Sequence, residues 1–420
     1  MVEKRYEWRD GAVLEDHSRR KHQILRNYFF DYITVRCQIP QMERFRLAVV
    51  DGFAGGGRYV CGTAGSPVIF VEELKNAITA VNAHRVGQGL KPIEIECLLV
   101  LNDSCSDATE QLRANLAPLL GDIVDTTPQL HVKVEYLTEK FEAAYPKMKL
   151  LLASGRYRNV LFNLDQCGHS KVERHTIMDI MGSYASVEIF YTFAIQTLLT
   201  FLRGTDPQRL ARQLRPFDIS IDDLQDQTKG MTKPAWMGAA ERLVFDSFNR
   251  CAKFVSPFSI NNPDGWRYWL IHFANSHRAR QVYNNLLHAN SSQQAHFGRS
   301  GLNMLSYDPA DEGGSLYLFD MSVRRNAHDK LVTDIPRLIS ESGDVIEVSE
   351  FYEGIYNTTP AHSEDIHKAM IDCPDLEILT PSGGERRKFN TIAVGDVIKL
   401  KTQRSFFPMF LGPTAKKDTD

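Results

Sequence analysis

A glycine-rich segment that directly follows a predicted strand is the feature of this sequence best suited to bind a ligand. The apolar run at 45–50 has the length of a buried strand and leads into D-G-F-A-G-G-G-R-Y at 51–59. Glycines at such a turn bring bare backbone amides close to a ligand, because no Cβ intervenes. A helix is predicted to begin near Val68, and its positive end favours an anionic group. The segment predicts a loop for a nucleotide-like ligand; a tight turn without a ligand is the alternative.

Two acidic residues beyond this loop favour one class of cofactor. The loop glycines lack the G-x-G-x-x-G order of NAD sites. Asp103 follows the second predicted strand, where a carboxylate can accept hydrogen bonds from ribose hydroxyls, or can cap a helix in solvent. Glu139 follows the third strand and can face an adenine amino group. The pattern predicts a site for S-adenosyl-L-methionine (SAM) whose cofactor-binding residues are Asp51, Gly52, Phe53, Ala54, Gly55, Gly57, Asp103 and Glu139.

The end of the fourth predicted strand carries the candidate catalytic residue, Asp165, within D-Q-C-G at 165–168. Adenine-N6 methyltransferases have D/N-P-P-Y/F at this place, where oxygens hold the target amine and the aromatic ring stacks on a flipped base. The acidic position is present here, but the prolines and the aromatic residue are not. We predict that Asp165 orients a methyl acceptor or the cofactor. Cys167 has only His169 nearby as a base, so we predict an inert thiol.

A basic segment, H-S-R-R-K-H at 17–22, begins the first predicted helix at 15–37. Charged runs at helix starts usually lie in solvent, and a solvated helix start is the expectation here. The alternative is a lip that contacts a phosphate or a carboxylate. The two interpretations differ in burial, because only the second places these side chains against the rest of the domain.

The alternation of strands and helices predicts an α/β fold with a doubly wound, mostly parallel sheet. In such a sheet the loops that follow the strands share one edge, where ligands bind. This domain is predicted to span 1–290, with a helical insertion at about 203–259. Its predicted strands are at 45–50, 93–101, 131–136, 159–164, 187–193 and 266–274.

The carboxy-terminal part predicts a winged-helix-like domain at 327–402, between a linker or lid at 291–326 and a polar tail at 403–420. Helices at 329–339, 348–356 and 363–371 precede a β-hairpin at 376–400. The wing carries the candidate nucleic-acid-binding residues Arg386, Arg387 and Lys388. The third helix begins with Glu364 and Asp365, whose carboxylates would oppose entry into a groove. Contact with DNA or RNA and a protein-interaction role both stay open.

The composition limits the other classes of function. The chain has 420 residues and a net charge of -3, so any contact with nucleic acid must come from a local patch. Its 7 cysteines include no C-x-x-C pair, which disfavours a zinc knuckle and suits a reducing compartment. The sequence shows neither a signal peptide nor an apolar run of membrane-spanning length. We expect a cytoplasmic protein that contacts no membrane and binds no metal.

The chain resembles the three-Cys-motif partner protein family, a bacterial group with a SAM-methyltransferase-like domain. Similar stretches are Lys21-His22 in the first helix, D-G-F-A-G with R-Y and G-S-P at 51–67, F-N-L-D at 162–165, and Y-W-L-I-H-F-A-N-S-H at 268–277. Gly56 replaces a family proline, and Q-C at 166–167 replaces proline and an aromatic residue. The resemblance implies a Rossmann-like SAM domain and a cysteine-motif partner protein, in a mobile-element or defence context.

Three functions follow as hypotheses. The first is a SAM-dependent methyltransferase that acts on nucleic acid or on a modified nucleotide, because SAM itself carries the reactive sulfonium and the protein needs only to position the acceptor. The second is a non-catalytic SAM-fold scaffold or nucleotide sensor that works with a partner protein. The third is a hydrolase, which is disfavoured because no H-x-H or D-x-D pair follows the strands.

Overall fold

The computed structural model of this chain describes two compact units, the first ending at Phe297 with Leu316–Tyr317 added, and the second beginning at Met321. Most of the predicted linker at 291–326 and the whole tail at 403–420 lie outside the described residues, as does Cys167. The residues described are 8, 11–166, 168–202, 206–261, 267–289, 294–297, 316–317 and 321–401.

A large sheet forms the centre of the first unit. Its first five strands are β1 (Arg44–Asp51), β2 (Glu94–Asn102), β3 (Leu130–Leu137), β4 (Asn159–Leu164) and β5 (Ser186–Phe193). The others are β6 (Phe254–Asn261), β7 (Arg267–Ala274), β8 (Gln294–Phe297) and β9 (Leu316–Tyr317). The strand order is β3-β2-β1-β4-β5-β7-β6-β8-β9, and β1 to β5 run parallel. The prediction of a mostly parallel central sheet in an α/β fold is confirmed.

The predicted helical insertion contains a strand that the sequence pattern did not indicate. The pattern at 203–259 favours helices, but β6 begins at Phe254 and pairs antiparallel with β7. Pro257 lies in the middle of β6, and proline normally argues against a central strand. Among the described residues, β8 pairs with β6 only at Ser259 and Ile260, beyond the proline. Pro257 is therefore paired only with β7 among the described residues.

Helices cover both faces of the sheet. One layer contains α1 (Asp16–Arg36), α2 (Ser66–Gly87), α3 (Ser106–Thr126) and α10 (His277–Ala289). The other contains α4 (Phe141–Ser154), α5 (Arg174–Ser183), α6 (Ile195–Leu202), α7 (Pro207–Leu214), α8 (Ile221–Thr228) and α9 (Lys233–Asn249). The sequence pattern did not indicate α4, whose interior holds Pro146, a residue that usually ends a helix.

Strand register brings the candidate site residues to one edge of the sheet. Asp51 at the end of β1 lies beside Leu101 of β2 and Asn163 of β4. Since β7 runs in the opposite direction, its first residues lie at this same edge, with Trp269 beside Phe193 at the end of β5. The carboxyl ends of the parallel strands and the start of β7 together enclose the region where a ligand would lie.

The described residues of the second unit form three α-helices and a small sheet. Its elements are α11 (Met321–Glu341), β10 (Val345–Glu347), α12 (Val348–Ile355), α13 (Ser363–Asp372), β11 (Leu376–Leu379) and β12 (Val397–Leu400). The strand order is β10-β12-β11, all antiparallel. The three predicted helices and the two hairpin strands are present, and α11 begins before the predicted residue 329.

Candidate functional site

The glycine loop begins at Asp51, whose side chain is fully buried. Its carboxyl group accepts hydrogen bonds from the Phe53 amide at 3.2 Å and from Asn163 Nδ2 at 3.1 Å, and Ser66 also bonds to it. Burial raises the pKa of Asp51 to about 7, and these donors oppose that shift. Asp51 thus holds the loop, β4 and the start of α2 together from within, and its carboxyl faces protein donors.

Backbone hydrogen bonds fix the loop against the neighbouring strands. The Gly52 amide donates to the Asn163 carbonyl at 2.9 Å, and the Ala54 amide donates to the Asn102 carbonyl at 2.8 Å. Gly55 and Gly57 have φ values of 60° and 81°, a region that side chains with a Cβ rarely adopt. These two glycines are therefore required by backbone conformation, and the loop is rigid at the sheet edge.

Asp103 is brought directly to the glycine loop. One carboxylate oxygen accepts a hydrogen bond from the Gly55 amide at 3.0 Å, and the other accepts from the Cys105 amide at 2.9 Å. The side chain is half-buried. Burial raises its pKa, against the two amide donors and the charge of Lys171. A carboxylate in this position links the loops after β1 and β2 and keeps lone pairs for a hydroxyl donor.

Glu139 follows β3 at the same edge, but its carboxylate is engaged elsewhere. Lys147 of α4 forms an ion pair with it. The Glu139 backbone is held by Asn102, which donates to its carbonyl at 3.0 Å and accepts from its amide at 3.3 Å. The Asn102 side chain also donates to the Gly52 carbonyl, at 3.1 Å. Asn102 therefore joins the loops after β1 and β3, a role that the sequence analysis missed.

Asp165 forms an ion pair with Lys21, a residue of the basic segment on α1. The Lys21 side chain is 8% exposed and that of Asp165 is 19% exposed. Burial alone would raise the pKa of Asp165, but the Lys21 ammonium, with a bond from Thr192, holds that pKa below its usual value. The expectation of a solvated helix start is wrong, since Lys21 lies against a carboxylate of the site, as the alternative proposed.

Two histidines of α1 are buried beside this pair. His17 stacks on Tyr268 at the start of β7, with ring centroids 4.1 Å apart. His22 lies 5.7 Å from the Tyr59 ring, and its Nδ1 is buried with no hydrogen-bond partner among the described residues. The sequence analysis did not assign either residue to the site. The signal was their position in a helix start that is basic and, at Lys21-His22, similar to a known family.

The turn after Asp165 is held by Gln166, the residue that stands where the resembling family has proline. Gln166 Nε2 donates to the Tyr191 hydroxyl at 2.6 Å, and its Oε1 accepts from the amides of Lys171 at 2.8 Å and Val172 at 3.3 Å. His169 is buried and lies 2.7 Å from Gln213 Oε1 through Nε2. Three hydrogen bonds thus hold Gln166 in the turn, and the prediction for Cys167 stays untested.

Acidification should destabilise the first unit through His22. Burial, together with the positive charge of Lys21, lowers the pKa of this imidazole to about 3. The charges of His17 and Arg26 act in the same direction on α1, and that of Asp165 opposes them. Since the unfolded chain takes up this proton near pH 6.5 and the folded protein does not, stability falls as pH drops below 6.5.

Urea unfolding measures this effect as a difference between variants. Between pH 7 and pH 5, wild type should lose about 2 kcal/mol more stability than His22→Gln, which has no proton to bind. His175→Gln is the matched control, because the His175 side chain is 73% exposed. It should lose stability with pH as wild type does. Equal pH dependence in wild type and His22→Gln would show that His22 titrates normally.

In the second unit, the candidate wing cations separate into two classes. Arg386 donates to both carboxylate oxygens of Asp396, at 2.9 and 3.1 Å, and Asp396 is fully buried. Arg386 therefore holds the wing together through this ion pair, and its contact with phosphate stays a prediction. Arg387 and Lys388 are exposed, Arg387 at 85% with a long contact of 3.7 Å to Glu385. These two stay candidates for phosphate contact.

The acidic start of α13 opposes nucleic-acid binding less than its sequence predicted. Asp365 accepts two hydrogen bonds from the Arg324 guanidinium, both at 2.7 Å, and it is buried. Only Glu364 faces solvent, and Lys368 lies 3.6 Å from its carboxylate. One carboxylate of the two is thus neutralised inside the domain.

The described part of the chain lacks two other features. No helix there is long and apolar enough to cross a membrane. No group of three or more histidine, cysteine, aspartate or glutamate side chains is placed to hold a metal ion in those same ranges.

Comparison with known proteins identifies the second unit. The family described as the GMT-like wHTH domain matches residues 306–383. The carboxy-terminal part of the chain is a GMT-like winged-helix domain. The match confirms the winged helix predicted from the sequence, and it begins inside the segment predicted as a linker.

The other comparisons are weaker. No curated protein matches the chain. Among solved structures, a Rhodobacter sphaeroides protein provisionally described as one of the zinc-dependent alcohol dehydrogenases is 13% identical, over 62% of this chain and 98% of its own. Its TM-score of 0.24 is too low to carry an argument about fold or function.

Proposed function

We propose that the chain is a SAM-dependent methyltransferase that acts on nucleic acid or on a modified nucleotide. The observation that carries the proposal is the hydrogen bond between the Gly55 amide and the Asp103 carboxylate, at 3.0 Å. It joins the glycine turn that follows β1 to the acidic residue that follows the neighbouring parallel strand, β2. This is the combination that holds the ribose of an adenine nucleotide at the carboxyl edge of a sheet.

The strand order supports this proposal. A dinucleotide-binding sheet has the order 3-2-1-4-5-6, all parallel. Here β7 is inserted between β5 and β6 and runs antiparallel to both. A reversed strand at this place is the arrangement of the SAM-methyltransferase fold that the sequence resembles, and the sheet is Rossmann-like in that sense.

The residues present fit an adenosyl sulfonium cofactor. The positive end of α2, which begins at Ser66, favours its carboxylate. Asp103 would accept from its ribose hydroxyls, and Glu139 is available for the adenine amine only if its bond to Lys147 opens. When bound, the sulfonium supplies an activated methyl group. The protein then needs to position the acceptor and exclude water.

The acceptor side of the proposed site is formed by Asp165, Lys21 and His22. Asp165 is ionised, because Lys21 lowers its pKa, and so its carboxylate can accept from an amine or hydroxyl of the acceptor. His22 is neutral at physiological pH, because burial lowers its pKa to about 3. Tyr59 lies beside His22 and supplies the aromatic face that is absent from 165–168. Together they suit a planar acceptor that carries a polar N–H or O–H group.

Isothermal titration with SAM and with S-adenosylhomocysteine tests the proposal. Micromolar binding of both to the full chain is the expected result, after which DNA, RNA and nucleotides are assayed for transfer of a labelled methyl group. Absence of binding to folded protein would overturn the cofactor site and the methyltransferase proposal with it.

A specific observation favours a second candidate, the non-catalytic scaffold. Lys21 already occupies the Asp165 carboxylate, where an acceptor amine would donate its hydrogen bond. A scaffold needs no access to that group, and it would work with a partner such as the cysteine-motif protein that the sequence resemblance implies. Stable co-purification with a partner and no turnover, despite SAM binding, would favour this candidate.

Nucleic-acid contact by the wing can be tested through its salt dependence. Replacing both Arg387 and Lys388 by alanine should reduce the slope of log affinity against log salt by about 2, because each lost phosphate contact removes about one released counterion. A short fluorescent duplex DNA, titrated at about 50 to 200 mM salt, provides the measurement. Arg325 and Lys330, both exposed on α11, give the matched double alanine control. An equal loss of slope in both double variants would exclude a specific role for the wing.

A further inference from the structure

Trp8 lies on the glycine loop, although it is distant from that loop in the sequence. A Cβ added at Gly55 or at Gly56 would overlap the Trp8 ring. The indole also lies near Tyr59, with ring centroids 5.9 Å apart. Trp8 is half-buried.

Several hydrogen bonds hold Trp8 in this place. Its carbonyl accepts from the Gly11 amide at 3.0 Å and from the Gln111 side chain of α3. The Val60 amide donates to the Ala12 carbonyl at 3.0 Å, which ties the same part of the chain to the loop. An indole fixed at its backbone loses little further entropy when a ligand packs on it.

At Gly56 a side chain is disfavoured by contacts and not by the backbone conformation. Gly55 and Gly57 have positive φ values, but Gly56 does not. Apart from the Trp8 ring, the nearest group to a Cβ at this position is Gln111 Oε1, at 3.0 Å. The absence of a side chain at 56 thus serves the contact with Trp8.

The neighbours of Trp8 indicate which end of the proposed cofactor its ring would contact. The ring packs on Gly55, and the Gly55 amide donates to Asp103 at 3.0 Å. Asp103 is the residue proposed to hold the ribose. An open cavity of about 490 Å³ is lined by Gly11 and Gln111, which donate to the Trp8 carbonyl, and by Tyr59, which lies near the Trp8 ring.

We infer that Trp8 is a cofactor-contacting residue whose indole forms the wall of the site at the nucleoside end and packs on the adenosine of the ligand. The inference rests on the proposed function and adds a binding residue to it. Aromatic rings pack well on any base because every base has a π-face, and the removal of one such ring typically weakens binding by roughly tenfold.

Titration calorimetry with two probes, S-adenosylhomocysteine and 5′-methylthioadenosine, tests this inference. The second probe has the adenosine but lacks the amino-acid end. Trp8→Ala should weaken both probes by the same factor, roughly tenfold, and Trp8→Phe should restore most of the loss. A loss confined to S-adenosylhomocysteine would place the ring at the amino-acid end and overturn the inference.

A second variant moves the ring without removing it. Gly56→Ala should displace the indole and weaken both probes, as Trp8→Ala does. The double variant should be no weaker than Trp8→Ala alone, because the added methyl then has no ring to displace. Trp236→Phe on α9 is the matched control and should bind both probes as wild type does. A fully additive double variant would mean that the effect of Gly56→Ala does not act through Trp8.

The outcomes separate this inference from the proposed function. If wild type binds neither probe, the cofactor site is wrong and the inference is wrong with it. If wild type binds both and Trp8→Ala binds them equally well, the function stands and the inference is overturned. Tighter binding by Trp8→Ala would also overturn it, because the ring would then obstruct the site.

Discussion

Replacing Lys21 by methionine is expected to lower the free energy of unfolding by about 3 kcal/mol. The variant leaves the Asp165 carboxylate, of which only 19% is exposed, without the ammonium that neutralises it. Breaking a buried ion pair at one partner typically costs about 3–5 kcal/mol, and the lower value applies because Asp165 keeps some contact with water. Urea denaturation at neutral pH gives the measurement.

The double variant Lys21→Met with Asp165→Asn distinguishes an unpaired charge from lost packing. Removing both charges should recover most of the stability, because two neutral side chains of similar size need no ion pair. Lys91→Met is the surface control: the Lys91 side chain is 84% exposed and lies 3.6 Å from Glu43. It should change stability by less than about 0.5 kcal/mol. If Lys21→Met costs no more than this control, the Lys21 to Asp165 pair does not stabilise the fold.

Replacing Asp103 by alanine is expected to weaken the binding of S-adenosylhomocysteine by about 1–3 kcal/mol. Two effects act together in this variant. The ribose hydroxyls lose their acceptor, and the Gly55 amide, which donates to Asp103 at 3.0 Å, loses the partner that holds the loop. Titration calorimetry on wild type and variant measures the difference in binding free energy.

Asp103→Asn separates the two effects. The amide keeps one oxygen for the Gly55 amide and loses the charge and one acceptor, so its affinity should lie between those of wild type and the alanine variant. Asp125→Asn, which removes an exposed carboxylate from the same helix α3, is the matched control and should bind as wild type does. Unchanged affinity in Asp103→Ala would exclude the ribose role.

The winged helix and the parallel sheet were predictable because their signals are local. Five strands of alternating α/β sequence end at turn residues, and the glycines at 55 and 57 have the positive φ values that such turns require. In the second unit, three amphipathic helices and a hairpin follow one another within a short segment. Where a local signal pointed the wrong way, as at Pro257 in β6 and Pro146 in α4, the element was missed.

The cofactor and catalytic roles stay predictions. The surroundings of the residues assigned to these roles depend on tertiary contacts that no local sequence pattern contains. The sequence by itself determined which residues follow each strand, since strand ends and glycine turns are set by neighbours in the chain. Only the tertiary structure decided that Lys21 pairs with Asp165 and that Trp8 packs on Gly56. The same is true of the ion pair between Arg386 and Asp396. For each of these side chains, the sequence contains several chemically equivalent candidate partners. The choice among them depends on which carboxylate or glycine the folded chain brings within contact distance while burying it from water.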